Sequence, residues 1–129
     1  DKVFAKIVGN DELIPILINE SHDSLLKIKY HHNRPRPKEI ANDFGIKLDY
    51  EYLPSMNTPS YPSGHSAQAV LLANVLSDKY PKRKKELQTA ARLISYSRNV
   101  AHEHYESDST FGIKIGNDMY DYLKEKNFI

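Results

Sequence analysis

The chain has 129 residues, and its 18 lysines and arginines nearly balance its 17 aspartates and glutamates, which leaves a net charge of +1. This balance creates no field that favours nucleic acid or an anionic membrane, and the absence of cysteine excludes disulfides and thiolate chemistry. The longest unbroken apolar run, Ala69 to Ala73, is too short to span a bilayer, which predicts a soluble protein in a compartment left open by the sequence. The length predicts one domain over residues 1–129.

The N-terminal region predicts a loose start followed by two consecutive helices. The first helix is expected from about Asn10 or Asp11, just before the apolar run Leu13 to Ile18. Ser21 has a side chain suited to capping a second helix, which the sequence extends toward His32. The prolines that follow Asn33 end this helix.

The next informative stretch is Arg34-Pro35-Arg36-Pro37. The prolines keep the backbone extended while two guanidinium groups project from it, and arginine matches phosphate oxygens in a bidentate way. Lys29 lies seven residues before Arg36, and Lys27 lies seven residues before Arg34. In isolation, the stretch is also compatible with a solvated basic loop between helices.

A short helix and a long connection come next. Lys38 to Phe44 predict one or two helical turns, stopped by Gly45. Residues 45–62 contain several prolines and small polar residues, which predicts an ordered connection without regular structure. We expect residues 45–61 to shape the entrance of a site.

The connection leads into Tyr61-Pro62-Ser63-Gly64-His65. Ser63 is placed to cap a helix, with His65 in its first turn and Tyr80 near its end. Gly64 lets the backbone approach a ligand, and a helix N-terminus offers free N–H groups to an anion. An imidazole beside that anion can act as an acid or a base near neutral pH. Taken alone, the segment also fits a capped helix with an incidental histidine.

A long helix is predicted after Pro81, from about Lys82 to His102. One face of this helix is marked by Leu87, Ala90, Ala91, Ile94, Ser97 and Arg98. The basic run at its start, Lys82 to Lys85, is interpreted as a solvated face, with an acidic partner or a membrane surface as the alternative.

The final helix is predicted from about Ser107 to Lys126. Its apolar positions recur every four residues, at Phe111, Ile115, Met119 and Leu123. Gly112 and Gly116 would let another helix come close to it. Since no alternation of period two is long enough to indicate a strand, the predicted class is all-α.

A third chemical stretch joins these last two helices. It places Arg98 near the end of one helix and His104 four residues before Asp108. In a helical or turn-like segment His104 and Asp108 are neighbours, and a carboxylate that accepts the Nδ1 proton leaves Nε2 as a nucleophile or a metal ligand. A metal held by His102 and His104 is an alternative, although residues two apart on a helix point away from each other. The remaining histidines, interpreted as structural or surface residues, are His22, His31, His32 and His102.

Together, these stretches resemble the phosphatidic acid phosphatase type 2 / vanadium haloperoxidase superfamily. Its motifs are Lys, six residues, Arg-Pro; then Pro-Ser-Gly-His; then Ser-Arg, five residues, His, three residues, Asp. The matching residues are Lys29 with Arg36-Pro37, Pro62 to His65, and Ser97-Arg98 with His104 and Asp108. The form of the first two motifs is most similar to the soluble class A nonspecific acid phosphatases.

The first motif can be placed in two ways. Lys27 with Arg34-Pro35 fits it as well as Lys29 with Arg36-Pro37 does. The pairing of Lys29 with Arg36 is preferred, because the soluble members also carry an arginine two places before the motif arginine. Arg34 fills that place here.

The resemblance implies a compact helical bundle and a metal-independent phosphatase without a cofactor. His104 would be the nucleophile that forms a phosphohistidine, Asp108 would orient it, and His65 would protonate the leaving group and then activate water. The phosphate would be held by Lys29, Arg36, Ser63, Gly64 and Arg98. The expected partner is a small-molecule phosphate ester and not a nucleic acid, and a homo-oligomer is compatible with the sequence.

Two other functions use the same residues. In a vanadate-dependent haloperoxidase, His104 would be the vanadium ligand. A non-catalytic phosphate-binding module is the other alternative, but simple anion binding needs neither His65 nor His104.

Overall fold

The computed structural model describes residues 2–45, 58–100 and 104–129. The helices are α1 (Lys2–Val8), α2 (Leu13–His32), α3 (Pro37–Asp43), α4 (Gly64–Lys79), a 3-10 turn (Pro81–Arg83), α5 (Lys84–Val100) and α6 (Glu106–Glu125). These described ranges contain no β-strand, so the predicted all-α class is confirmed. Among them, no helix combines the length and the apolarity needed to cross a bilayer.

Helix α4 lies at the centre of the bundle because apolar residues occupy most of its circumference. It packs against α2, α5 and α6, and also contacts α1. Its buried apolar residues are Ala67, Ala69, Leu71, Leu72, Ala73, Val75 and Leu76. A helix that is apolar on nearly every side is stable only when other helices surround it, so α4 organises the others. The predicted central helix is confirmed.

Two glycines bring α6 very close to α4. A Cβ atom on Gly112 would lie 2.6 Å from the carbonyl oxygen of Ser63, and one on Gly116 would lie 2.5 Å from that of Ala67. Since neither distance leaves room for a methyl group, both positions require glycine. The prediction that these glycines allow close helix packing is confirmed.

The helix boundary predicted at Ser21 is wrong, because α2 runs without a break from Leu13 to His32. Ser21 lies inside α2 and not at a cap, and its hydroxyl donates hydrogen bonds to the carbonyl oxygens of Leu17 at 2.8 Å and Ile18 at 3.2 Å. A serine that bonds back to the preceding turn is compatible with a continuous helix. The buried face of α2 consists of Ile14, Leu17, Ser21, Leu25 and Lys29.

The expected loose start is also wrong, because residues 2–8 form α1. Phe4, which is only 1% exposed, belongs to the same hydrophobic core as α4. A seven-residue helix has little stability of its own, so its packing against α4 and α5 accounts for it. Gly9, at φ 87°, follows its end.

The remaining elements agree closely with the sequence. Helix α3 confirms the short helix predicted before Gly45, and Lys82 to Lys85 are exposed, as expected for a solvated run. Ser97 is exposed, so it does not belong to the buried face of α5. The end of α5 predicted at His102 and most of the predicted connection, residues 46–57, lie outside the described residues.

Candidate active site

A cavity of about 150 Å³ receives side chains from α2, from α4 and from the segments that precede α3 and α6. Its lining residues are His22, Leu25, Leu26, Lys29, Arg36, Thr58, Gly64, His65, Gln68 and His104. The two histidines singled out in the sequence, His65 and His104, therefore face one cavity although they are far apart in the chain.

Lys29 and Arg36 are buried cations whose positions are set by one short segment of backbone. The Nζ atom of Lys29 donates to the carbonyl oxygen of Pro59 at 2.9 Å. The Nε atom of Arg36 donates to the carbonyl oxygen of Thr58 at 2.8 Å, and its Nη2 atom donates to the Thr58 hydroxyl at 3.2 Å. Because these carbonyl groups orient both cations, little reorganisation is needed before an anion enters.

The two placements of the first motif differ clearly in the structure. Lys29 and Arg36 line the cavity, whereas Lys27 is exposed to solvent. Arg34 donates from Nη1 to the Oδ1 atom of Asp108 at 2.8 Å. The geometry agrees with the preferred pairing of Lys29 with Arg36.

His104 and Asp108 form the predicted contact. The Nδ1 atom of His104 lies 3.3 Å from Asp108 Oδ2, and its Nε2 atom lies 3.3 Å from Arg36 Nη1. Arginine can only donate hydrogen bonds, so Nε2 accepts in this contact. The proton of a neutral His104 then resides on Nδ1 and is donated to Asp108.

The carboxylate of Asp108 is fully buried and yet favours its ionised form. Burial raises the pKa of Asp108, but hydrogen bonds from His104 and from the backbone N–H of Tyr105 outweigh this effect and lower the pKa below its ordinary value. The Tyr105 N–H lies 2.9 Å from Asp108 Oδ2. Asp108 is also in the first turn of α6, where the helix dipole stabilises negative charge.

His65 and Arg98 meet where the start of α4 lies beside the end of α5. The Nη2 atom of Arg98 lies 2.8 Å from the Nε2 atom of His65, and both side chains are partly buried. Arg98 therefore reaches the site through direct contact with His65.

Ser63 and Gly64 have different surroundings. The Ser63 hydroxyl accepts a hydrogen bond from the N–H of Ser66 at 3.2 Å, which confirms the predicted helix cap. The Ser63 N–H donates to the carbonyl oxygen of Asp108 at 3.0 Å, which ties the second motif to the third. Gly64 lines the cavity, whereas Ser63 is fully buried, and its contact with phosphate stays a prediction.

Sequence reasoning missed the contribution of His22 and Gln68 to the cavity wall. The exposed His22 lies seven residues before Lys29 on α2, and Gln68 lies three residues after His65 on α4. These spacings place His22 on the same face of α2 as Lys29, and Gln68 on the same face of α4 as His65. Helical periodicity could therefore have predicted both residues. The exposed positions of His31 and His32 agree with surface roles, and His102 lies outside the described residues.

Residues 13–117 match the family model of the PAP2 superfamily. The chain is 35% identical over 88 residues to a non-specific acid phosphatase of Salmonella typhimurium, and 42% identical over 88 residues to a non-specific acid phosphatase of Salmonella typhi. Each alignment covers 68% of this chain and 35% of the relative, so the chain spans about a third of the length of these curated relatives. The family match includes every motif residue from Lys29 to Asp108, and the chain belongs to the PAP2 superfamily.

Proposed function

We propose that the chain is a single phosphatase domain that hydrolyses small phosphate monoesters through a phosphohistidine, without a metal ion. The observation that carries this proposal is the pairing of His104 Nδ1 with the buried Asp108 carboxylate, while Nε2 contacts Arg36 and the residue lines a cavity bordered by cations. The names of the two Salmonella relatives support the reaction class. A module that only binds phosphate would have no use for this pairing.

Phosphate binding would use the charges that border the cavity. Lys29 and Arg36 line it, and Arg98 adjoins it through His65. A phosphate dianion would replace the contacts that these arginines now make with the two histidines. The Gly64 backbone lies at the N-terminus of α4, where free N–H groups and the helix dipole favour an anion.

The first chemical step would form the phosphoenzyme. The lone pair on His104 Nε2 attacks phosphorus, and the bond between phosphorus and the ester oxygen breaks. His65 gives a proton to that oxygen, so the alcohol leaves in its neutral form. Asp108 stabilises the positive charge that develops on the His104 ring, because it accepts the hydrogen bond from Nδ1.

The second step would hydrolyse the phosphohistidine. His65, now deprotonated, takes a proton from a water molecule while the water oxygen attacks phosphorus. The bond between phosphorus and Nε2 breaks, which restores neutral His104 and releases inorganic phosphate. The cations that held the ester also stabilise the charge on the transferring group in this step.

Rapid denaturation in alkaline detergent, during turnover of a radiolabelled phosphate ester, traps the phosphoenzyme and tests this proposal. We expect an acid-labile phosphoenzyme in the wild type, none in His104→Ala and less in Asp108→Asn. His31→Ala, which changes an exposed histidine, is the matched control and should label like the wild type. Label on His65, or undiminished label in His104→Ala, would contradict the assignment of the nucleophile.

Two further measurements separate the alternatives. We expect aryl phosphate hydrolysis to survive EDTA and to be inhibited competitively by vanadate. Loss of activity with EDTA that a divalent ion restores would favour a metal site. Halide oxidation that depends on added vanadate, without phosphate release, would favour a haloperoxidase.

A further inference from the structure

Arg34 lies outside the cavity lining but contacts the carboxylate behind His104. Its Nη1 atom donates to Asp108 Oδ1 at 2.8 Å and to the Ser107 hydroxyl at 2.7 Å. We propose that Arg34 is a positioning residue that fixes the Asp108 carboxylate in the orientation that His104 needs. This inference rests on the proposed function of His104 as the nucleophile.

The contacts of Asp108 divide between its two oxygens. Oδ2 accepts the hydrogen bonds from the ring of His104 and from the N–H of Tyr105, whereas Oδ1 accepts the one from Arg34. Rotation of the carboxylate would break bonds on both oxygens, so Arg34 helps to hold Oδ2 in position, together with a hydrogen bond from the Ser60 side chain to the same carboxylate. The arginine also balances the charge of a carboxylate that is 0% exposed, while its own side chain is 36% exposed.

Arg34 is itself held in place by aromatic rings. Its guanidinium carbon lies 4.3 Å from the centre of the Tyr61 ring and 5.6 Å from that of Tyr105. Tyr61 stacks on Phe111, with ring centres 4.9 Å apart and planes at 9°. The carbonyl oxygen of Arg34 accepts a hydrogen bond from the N–H of Ser60 at 2.9 Å. Because the side chain and the backbone are both fixed, Arg34 can hold Asp108 at a defined position.

This position separates Arg34 from the cations that would hold phosphate. A phosphate-binding arginine must reach the cavity, as Arg36 does, but the Nη1 atom of Arg34 is bound to Asp108 and Ser107. Loss of Arg34 should therefore slow phosphoryl transfer to His104 and leave phosphate affinity nearly unchanged. Partners that orient metal-bound histidines contribute about 10- to 100-fold to metal affinity or activity, and we expect a loss of the same order here.

Steady-state kinetics with Arg34→Gln, Arg34→Lys and Lys27→Gln test the proposal. We expect Arg34→Gln to lower kcat about 10- to 100-fold, with KM and the inhibition constant of inorganic phosphate within about twofold of wild type. Arg34→Lys should recover part of kcat, because an ammonium group can still donate to Oδ1. Lys27→Gln is the matched control from the other placement of the first motif and should behave like wild type. A large rise in the phosphate inhibition constant of Arg34→Gln with kcat unchanged would overturn the proposal, as would wild-type kinetics.

A double-mutant cycle asks whether Arg34 acts through Asp108. We expect Arg34→Gln to cause little further loss of kcat in an Asp108→Asn background, because the carboxylate that it positions is already absent. Losses that multiply would show that Arg34 acts through another group and would overturn the proposal. Thermal melting of each variant, with Arg34→Lys as the milder substitution, separates these effects from loss of the fold.

Nitrogen NMR of the His104 ring gives a readout that needs no turnover. In the wild type we expect the tautomer with its proton on Nδ1, and in Arg34→Gln a mixture of the two neutral tautomers. An unchanged tautomer in Arg34→Gln would overturn the positioning role even if the enzyme is a phosphatase. Absence of phosphatase activity in the wild type would contradict the proposed function alone, since the NMR comparison does not depend on it.

Discussion

The guanidinium group of Arg98 donates a hydrogen bond to the imidazole of His65, with 2.8 Å between Nη2 and Nε2. Arginine has no acceptor atom, so His65 Nε2 uses its lone pair in this contact and carries no proton. The neutral ring then has its proton on Nδ1. To act as a general acid from Nε2, His65 must first lose its contact with Arg98 and gain a proton on that atom. An anion that binds Arg98 would draw the guanidinium group away and so allow protonation.

Anion binding should therefore be coupled to proton uptake at His65. We expect the ligand-free protein to take up as much as one proton when sulfate binds between about pH 6 and 8, because the anion attracts Arg98 and stabilises an imidazolium ring. Sulfate is the suitable probe, since it does not titrate in this range. Titration calorimetry in buffers of different ionisation enthalpy gives the number of protons.

The control for proton uptake is His65→Gln, which keeps a polar side chain that does not titrate. We expect this variant to bind sulfate with much less proton uptake than the wild type. Equal uptake in the two proteins would place the proton elsewhere, with His22 and His104 as the other histidines that line the cavity.

The role proposed for His65 makes a second prediction, on leaving groups. His65→Ala should lose about a hundred- to ten-thousand-fold on alkyl phosphates, whose alkoxide requires a proton to leave. On nitrophenyl phosphate the loss should be much smaller, since nitrophenolate leaves without protonation, and phosphohistidine should accumulate. The prediction is checked by measuring kcat/KM of the wild type and of His65→Ala on both substrates, with His31→Ala as the control. An equal loss on both substrates would contradict the acid role.

The local parts of the site could be predicted from sequence because spacing alone defines them. A gap of four residues brings His104 to Asp108, and a serine before a helix places Ser63 as its cap. Each of these contacts depends on one helical turn, which a motif describes completely. The position of His65 in the first turn of α4 follows in the same way.

The wrong predictions for the first 32 residues have a definite physical cause. A serine inside a helix and a serine at its cap look alike in sequence, so the sequence predicts a boundary at Ser21 that the structure does not have. Taken as one helix, residues 13–32 place Leu25 and Lys29 on the same buried stripe, which distinguishes Lys29 from the exposed Lys27. Phe4 is buried by contacts that α1 makes with other helices, and this burial stabilises α1. Such burial cannot be predicted from the short apolar run around Phe4.

Contacts between residues far apart in the chain cannot be predicted from the spacing of residues within a motif. Arg34 and Asp108 are 74 residues apart, and no periodicity links them. The hydrogen bond from the Ser63 N–H to the Asp108 carbonyl likewise depends on how α4 and α6 pack. The sequence predicts that the three motifs meet. The acceptor that each donor group bonds to is known only from the structure.

A third prediction concerns acid stability and the contact between the start of α2 and the end of α4. Asp11 Oδ2 accepts from Lys79 Nζ at 2.8 Å and from the Tyr80 hydroxyl at 2.6 Å. These hydrogen bonds, with that of Lys79 the largest cause, lower the pKa of Asp11 from 3.8 to about 2. A lowered carboxylate pKa stabilises the fold fully above the unfolded pKa, and this stabilisation is lost as pH falls toward the folded pKa.

Asp11→Asn should therefore lower the free energy of unfolding by about 1 to 2 kcal/mol at pH 6, a modest figure because Lys79 is half exposed and partly screened. The difference from wild type should shrink as pH falls from about 5 to 2. Urea unfolding at several pH values measures it. A difference that stays constant over this range would show that the carboxylate charge does not contribute.

The final prediction uses two glycines that face different surroundings. Gly112→Ala would place a methyl group 2.6 Å from the Ser63 carbonyl oxygen, so α6 must move away from α4. Overpacking of this kind costs about 1 to 3 kcal/mol. The same movement would disturb the hydrogen bond between the Ser63 N–H and the Asp108 carbonyl, so activity should fall together with the melting temperature.

Gly64→Ala is the matched substitution at the cavity. Its methyl group would lie 3.6 Å from Lys29 Cε, an ordinary contact that the fold tolerates. We expect the melting temperature of Gly64→Ala to stay near that of the wild type while the inhibition constant of inorganic phosphate rises, because the methyl group occupies space where the backbone would approach the anion. Thermal melting and phosphate inhibition, measured on both variants, separate the two effects. If Gly64→Ala lost stability as Gly112→Ala does, or bound phosphate as the wild type does, Gly64 would have no special part in the anion site.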